Sequence, residues 1–200
     1  MTNLKKLFLN NCSKNKLEVN KNQIRIIELL IKFYKENFEK SFLKYLFKKK
    51  IDKRGFYLTG DVGVGKTMLL NFFYDNLDLK KKRLHFNEFM ISFHDFAHLN
   101  KSSNSIEMFV KNLKKKCELI YFDEFQVTNI VDAMILGKLF ETIFKKNIKV
   151  LITSNIQIKN LYKDGLQREQ FIPFINIMKN ICHEYELVIE EDYRKSKNNK

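Results

Sequence analysis

Gly55-Phe-Tyr-Leu-Thr-Gly60-Asp-Val-Gly-Val-Gly65-Lys-Thr67 runs a short apolar strand into a glycine-rich turn, and Thr67-Met-Leu-Leu-Asn-Phe-Phe-Tyr74 that follows reads as a buried helix. Gly60 to Thr67 matches G-x-x-x-x-G-K-[ST] at every fixed position, in the strand-to-helix setting that its chemistry requires. Gly63 and Gly65 let the main chain of Gly60, Asp61, Val62, Gly63, Val64 and Gly65 curl so that successive N–H groups face inward. The helix beginning near Lys66 adds its positive dipole end. A polyphosphate is the ligand that such a cradle fits, with Lys66 on the terminal phosphates and the Thr67 hydroxyl as a hard oxygen ligand for Mg²⁺.

Working outward, strands are expected over 83–86, 117–125, 148–155 and 183–189, and helices over 22–48, 88–99, 106–116 and 168–179. Between the second and third of these strands, Thr128 is placed to cap a further helix whose Val131, Ile135, Leu139 and Ile143 follow an i, i+4 stripe. Strands alternating with helices imply a three-layer α/β sandwich, a central parallel sheet with helices on both faces, because parallel neighbours need crossovers. Ligands of such sheets bind beyond the carboxyl ends of the strands. The expected organisation is a loose, polar N-terminal arm over 1–20, a helical segment over 21–50, the α/β core over 51–194 and a disordered tail over 195–200.

The second chemical motif is Leu119-Ile-Tyr-Phe-Asp123-Glu124, two acids where an apolar strand emerges. Asp123 is suited to hold Mg²⁺ from the side opposite Thr67, and Glu124 to polarise a water for in-line attack on a γ-phosphate. An acidic pair favours hydrolysis over transfer, since a small-molecule kinase must keep water away. Asn155, ending Val150-Leu-Ile-Thr-Ser-Asn155, can hydrogen-bond both the water and the phosphate. Arg168, at a helix start after Lys163-Asp-Gly165-Leu-Gln, offers a guanidinium to a transferring phosphoryl group, or else is an ordinary surface arginine. His94 and His98 share a helix face, but no H-E-x-x-H surrounds them and a non-metal role is expected.

Composition narrows the alternatives. Hydrophobic residues make up 44% of 200, with 19 Phe and 8 Tyr, which excludes a wholly disordered chain. The net charge of +14 raises nucleic acid as a partner, yet the excess is mostly lysine spread along the whole chain, and a basic solvated surface is the simpler reading. Cys12, Cys117 and Cys182 are too few and too far apart for a disulfide framework and read as free thiols. No apolar run is long enough to span a membrane, and the start of the chain lacks a signal-peptide core, so a cytoplasmic location is expected.

Several blocks together resemble a known family. Arg54-Gly-Phe-Tyr-Leu-Thr-Gly-Asp-Val-Gly-Val-Gly-Lys-Thr67, Lys82-Arg-Leu-His-Phe86, Phe122-Asp-Glu-Phe-Gln-Val127, Asp132-Ala-Met-Ile-Leu-Gly-Lys-Leu-Phe140, Thr153-Ser-Asn155, Leu161-Tyr-Lys-Asp-Gly-Leu-Gln-Arg168, Phe171-Ile-Pro-Phe174 and Asp192-Tyr-Arg194 are similar, in family order, to the ZapE-type cell-division ATPases of bacteria and their mitochondrial lactation-elevated-protein relatives. The resemblance implies an AAA+ P-loop NTPase core that binds ATP and Mg²⁺, with Lys66 and Thr67 as Walker A, Asp123 and Glu124 as Walker B, Asn155 as sensor 1 and Arg168 as an arginine finger. It implies action on a protein partner, the division protein FtsZ or inner-membrane clients, by a homo-oligomer in the cytoplasm or peripheral at the inner membrane. Helicase-loader-type ATPases share the same motifs and make a nucleic-acid-associated ATPase the rival, with a non-hydrolysing nucleotide-binding scaffold as a second. Family members continue past the Asp-Tyr-Arg block into a helical lid, which this sequence is expected to lack.

Overall fold

The computed structural model describes residues 3–16, 20–39 and 53–189. The expected helix beyond residue 39, the tail over 195–200 and the Asp192-Tyr-Arg194 block lie outside them. Five strands form one sheet: β1 Gly55–Thr59, β2 Lys81–His85, β3 Leu119–Asp123, β4 Lys149–Thr153 and β5 Cys182–Glu186. Their order is β2-β3-β4-β1-β5 and every pairing is parallel. The chain leaves β1 through α3 (Lys66–Asp75), passes over β4 and β3 to the far edge at β2, and returns strand by strand. The turn after β1 therefore lies where the direction of winding reverses, the position at which open α/β sheets open a crevice.

The two-residue alternation of the strands splits the core between the faces. Phe56, Leu58, Leu119, Tyr121 and Leu151 point to one side, against α1 (Leu4–Lys14), α2 (Lys21–Asn37) and α3. Tyr57, Ile120, Phe122, Val150 and Ile152 point to the other, against α4 (Phe86–Asn100), α5 (Ser105–Lys116), α6 (Ile130–Lys145) and α7 (Arg168–Ile181). This is the three-layer α/β arrangement expected from the sequence.

Local structure departs from expectation in several places. The stretch expected to be a loose arm holds α1, whose Leu4, Phe8 and Cys12 are buried at strict i, i+4 spacing, with the Phe8 ring edge-on to Phe72 at 5.2 Å. Asn129, not Thr128, caps α6: its side chain accepts from Asp132 N at 2.8 Å. In α6 the buried stripe is Ala133, Leu136, Leu139, Phe140 and Ile143, and Val131 is 57% exposed. Strand β2 begins and ends earlier than expected because Glu88 closes a capping box on His85 and starts α4 at Phe86.

The lysine-rich composition has a structural use at the amino ends of the strands, where helix carboxyl ends leave carbonyls without partners. Lys53 donates to Lys179 O at 2.8 Å and Cys182 O at 3.2 Å, at the end of α7. Arg54 donates to Phe144 O of α6, and Lys81 to Tyr74 O, Asp75 O and Leu77 O at the end of α3. These cations cap helices across the sheet edge remote from the glycine turn.

Candidate functional site

At the opposite edge, the turn after β1 carries three glycines in conformations that L side chains rarely adopt: Gly60 at φ 146, Gly63 at φ 85 and Gly65 at φ 94. A Cβ on Gly60 would also come within 2.4 Å of Leu187 O, so the chain just past β5 closes tightly behind the loop. Gly65 takes the N-cap position of α3, which aims the amino end of the helix and the curled main chain at the same point. Gln23 of α2, itself buried, braces the loop from behind by donating to Val64 O at 3.3 Å.

Lys66 folds over this turn. Its Nζ donates to Gly60 O at 2.8 Å, Asp61 O at 2.7 Å and Asn155 Oδ1 at 2.8 Å. Burial holds its pKa below the ordinary lysine value, partly offset by the Asp61 and Asp123 carboxylates. Asn155 owes its place to the exit of β4: Ser154 Oγ donates to Phe125 O at 2.6 Å and accepts from Ile156 N at 3.0 Å, while Tyr57 OH donates to Ile156 O at 2.8 Å.

Asp123 ends β3 with its side chain 4% exposed. Its Oδ1 accepts from Thr67 Oγ1 at 3.1 Å, Thr153 Oγ1 at 2.5 Å and Tyr121 OH at 3.3 Å, and its Oδ2 from Arg83 Nη2 at 2.6 Å. Burial alone would raise its pKa, but the hydrogen bonds from Thr153, Arg83 and Thr67 together hold it below the ordinary carboxylate value. A carboxylate depressed in the folded state stabilises the fold above its unfolded pKa, about 3.9, and that contribution fades as pH falls through the lower folded value. The stability gap between wild type and Asp123→Asn should accordingly narrow on acidification from pH 6 to pH 3. Thermal unfolding midpoints measure it, and a gap independent of pH would refute the assignment.

Lys66, Thr67, Asp123 and Asn155 thus meet, brought together from α3, β3 and the end of β4. Thr67 and Asp123 supply adjacent hard oxygen donors, the chemistry Mg²⁺ takes. Glu124 follows Asp123 with φ 54, its N–H on Thr153 Oγ1 at 3.2 Å, and its 77%-exposed side chain has its nearest ionic partner in His85 Nδ1 at 3.8 Å. Arg168 is not among the contacts of this cluster: its Nη1 donates to Leu161 O at 2.7 Å and its Nη2 to Lys159 O at 2.9 Å. His94 pairs with Asp132 Oδ1 at 2.7 Å, tying α4 to α6. Sequence reading missed Arg83, Thr153, Tyr121 and Gln23 as parts of the site. The one available signal was Arg83 and His85, two basic residues at strand alternation before a helix.

Among the described residues, no helix is long and apolar enough to cross a membrane. A family model described as AFG1-like ATPase matches residues 5–200. Lactation elevated protein 1 homolog B of Danio rerio is 42% identical over 154 residues, which is 70% of this chain and 31% of that protein. Cell division protein ZapE of Escherichia coli (strain K12) is 39% identical over 143 residues, 70% of this chain and 38% of its own length. The chain spans about a third of the length of these curated relatives. AMPPCP-bound DnaA from Aquifex aeolicus has a TM-score of 0.59 at 17% identity, covering 90% of this chain and 51% of that one, a likeness that shows a shared P-loop AAA+ fold.

Proposed function

This chain belongs to the AFG1-like ATPase family, and from that premise we propose that it binds ATP with Mg²⁺ and hydrolyses it, using the change of nucleotide state to act on a protein partner. The observation that carries the reading is the convergence of Lys66 on Asn155 at 2.8 Å and of Thr67 on Asp123 at 3.1 Å, at the carboxyl edge of a parallel sheet and beside a glycine turn in left-handed backbone.

The main chain of 60–65 and the amino end of α3 would hold the phosphate chain. Lys66 exchanges two loop carbonyls for phosphate oxygens, which are stronger acceptors for an ammonium. Thr67 and Asp123 would hold the metal, which supplies charge neutralisation on the phosphates when bound. Glu124 takes the proton of the attacking water, and Asn155 aligns that water with the phosphate. Arg168 serves, in this reading, as a finger donated to a neighbouring subunit; its two carbonyl bonds within its own chain are released on assembly. The name of the bacterial relative supports a role in cell division, and the absence of a membrane-crossing helix among the described residues is compatible with work at a membrane surface or away from one.

Calorimetric titration of ATP with Mg²⁺, followed by ATPase assays over a range of protein concentrations with and without candidate partners, tests the reading. Saturable binding is expected, with turnover per subunit rising with concentration as Arg168 is delivered in trans. Folded protein that gives no heat on titration would refute the nucleotide site; turnover per subunit independent of concentration would remove the finger.

A further inference from the structure

The metal-side carboxylate is held from a strand that no part of the nucleotide motif occupies. Alternation along β2 puts Arg83 and His85 on one face, and the parallel register sets Arg83 opposite Tyr121 and His85 opposite Asp123. The two oxygens of Asp123 are thereby divided. Oδ1 faces Thr67 and accepts from Thr67, Thr153 and Tyr121, whereas Oδ2 accepts from Arg83 Nη2 at 2.6 Å. The Arg83 guanidinium in turn lies 5.2 Å from the centroid of the Tyr121 ring, the ring whose hydroxyl donates to Oδ1. Arg83 and Tyr121 therefore brace each other while gripping opposite oxygens of one carboxylate.

We propose that Arg83 is a positioning residue for the Mg²⁺ site: it clamps the outer oxygen of Asp123 so that the inner oxygen stays turned toward Thr67. Without the clamp only the donors on Oδ1, from Thr67, Thr153 and Tyr121, orient the carboxylate, and Oδ2 is left to swing about a terminal torsion that is broad for Asp, which loosens the aim of the group at the site. The role belongs to the partners that orient metal ligands from outside, whose loss typically costs about 10- to 100-fold in metal affinity or activity. Lysine at this position offers a point charge without the planar fork, so it restores only part of the effect. The proposal rests on the nucleotide-site reading above.

The test is the gain in ATP affinity that Mg²⁺ confers, measured by calorimetry in Mg²⁺ and in EDTA, so that turnover plays no part in the readout. Arg83→Met is expected to cut the gain about tenfold or more, with Arg83→Lys between it and wild type. The double variant Arg83→Met with Asp123→Asn is expected to lose no more of the gain than Asp123→Asn alone, because Arg83 acts through Asp123. Equal losses in Mg²⁺ and EDTA, or additive losses in the double variant, overturn the proposal. If circular dichroism shows Arg83→Met unfolded, Arg83→Lys decides: a reduced gain supports the clamp and an unchanged gain overturns it. Wild-type protein that binds no ATP overturns the functional reading and this inference with it. A wild-type Mg²⁺ gain that the Arg83 variants keep overturns the role of Arg83 alone.

Discussion

Lys66→Ala should lower the affinity for ATP with Mg²⁺ by about 10²- to 10⁴-fold and leave the chain folded. The side chain is 8% exposed, and its ammonium already satisfies three acceptors at the mouth of the glycine turn, Gly60 O, Asp61 O and Asn155 Oδ1. Hydrogen bonds to charged groups contribute about 1.5–3 kcal/mol each. Two of them transferred to phosphate oxygens come to about 3–6 kcal/mol, at about 1.4 kcal/mol per decade of affinity. The fold tolerates the change because Asp61 and Asn155 are exposed and Gly60 is only half-buried, so that water can reach the acceptors once the ammonium is gone. Loss of stability should stay near 1 kcal/mol or below. Calorimetry and a thermal unfolding midpoint read the two quantities separately. Affinity within about threefold of wild type would mean that Lys66 does not face the phosphates, and a large loss of stability would mean that its bonds to the loop are structural.

What could be read from the sequence alone was whatever depends on neighbours in the chain. The glycine turn needs backbone at positive φ within a few residues, so Gly60, Gly63 and Gly65 announce it directly. Asp123 is legible because an unbroken apolar run must end where a charge appears. Helix α1 was not legible because Leu4, Phe8 and Cys12 are diluted among lysines and asparagines, and only the partner surface of α2 and α3 makes that thin stripe worth burying. Arg83 escaped for a different reason. Its partner is fixed by the β2–β3 register, a non-local fact that no spacing along the chain encodes. The lysine excess was misread in part for the same cause: Lys53 and Lys81 look solvated in the sequence, but the winding of the chain sets each beside a helix end that needs donors.

Glu124→Gln should keep ATP affinity within a few fold and cut turnover by at least about 10²-fold, the usual scale of a lost general base. Asp123 is locked by Thr67, Thr153, Tyr121 and Arg83, and a carboxylate bound on both oxygens is poorly placed to take a proton. Glu124 is the opposite case: its side chain is exposed, its backbone N–H is on Thr153 Oγ1, and His85 lies 3.8 Å from its carboxylate. That backbone is unusual for a glutamate, since φ of 54 in an L residue costs about 1–2 kcal/mol. The conformation swings the side chain out of the strand alternation just as the chain leaves the sheet, and Phe125 N–H on Thr153 O at 2.8 Å fixes the far side of the turn. Strain of this kind persists where the surroundings impose it, and it directs attention to the side chain so placed. Glutamine keeps the shape and the backbone cost while removing the basic oxygen, so a loss of turnover with binding intact isolates proton transfer from folding. Turnover equal to wild type would take Glu124 out of the reaction and leave a nucleotide-binding protein whose water is activated elsewhere or not at all.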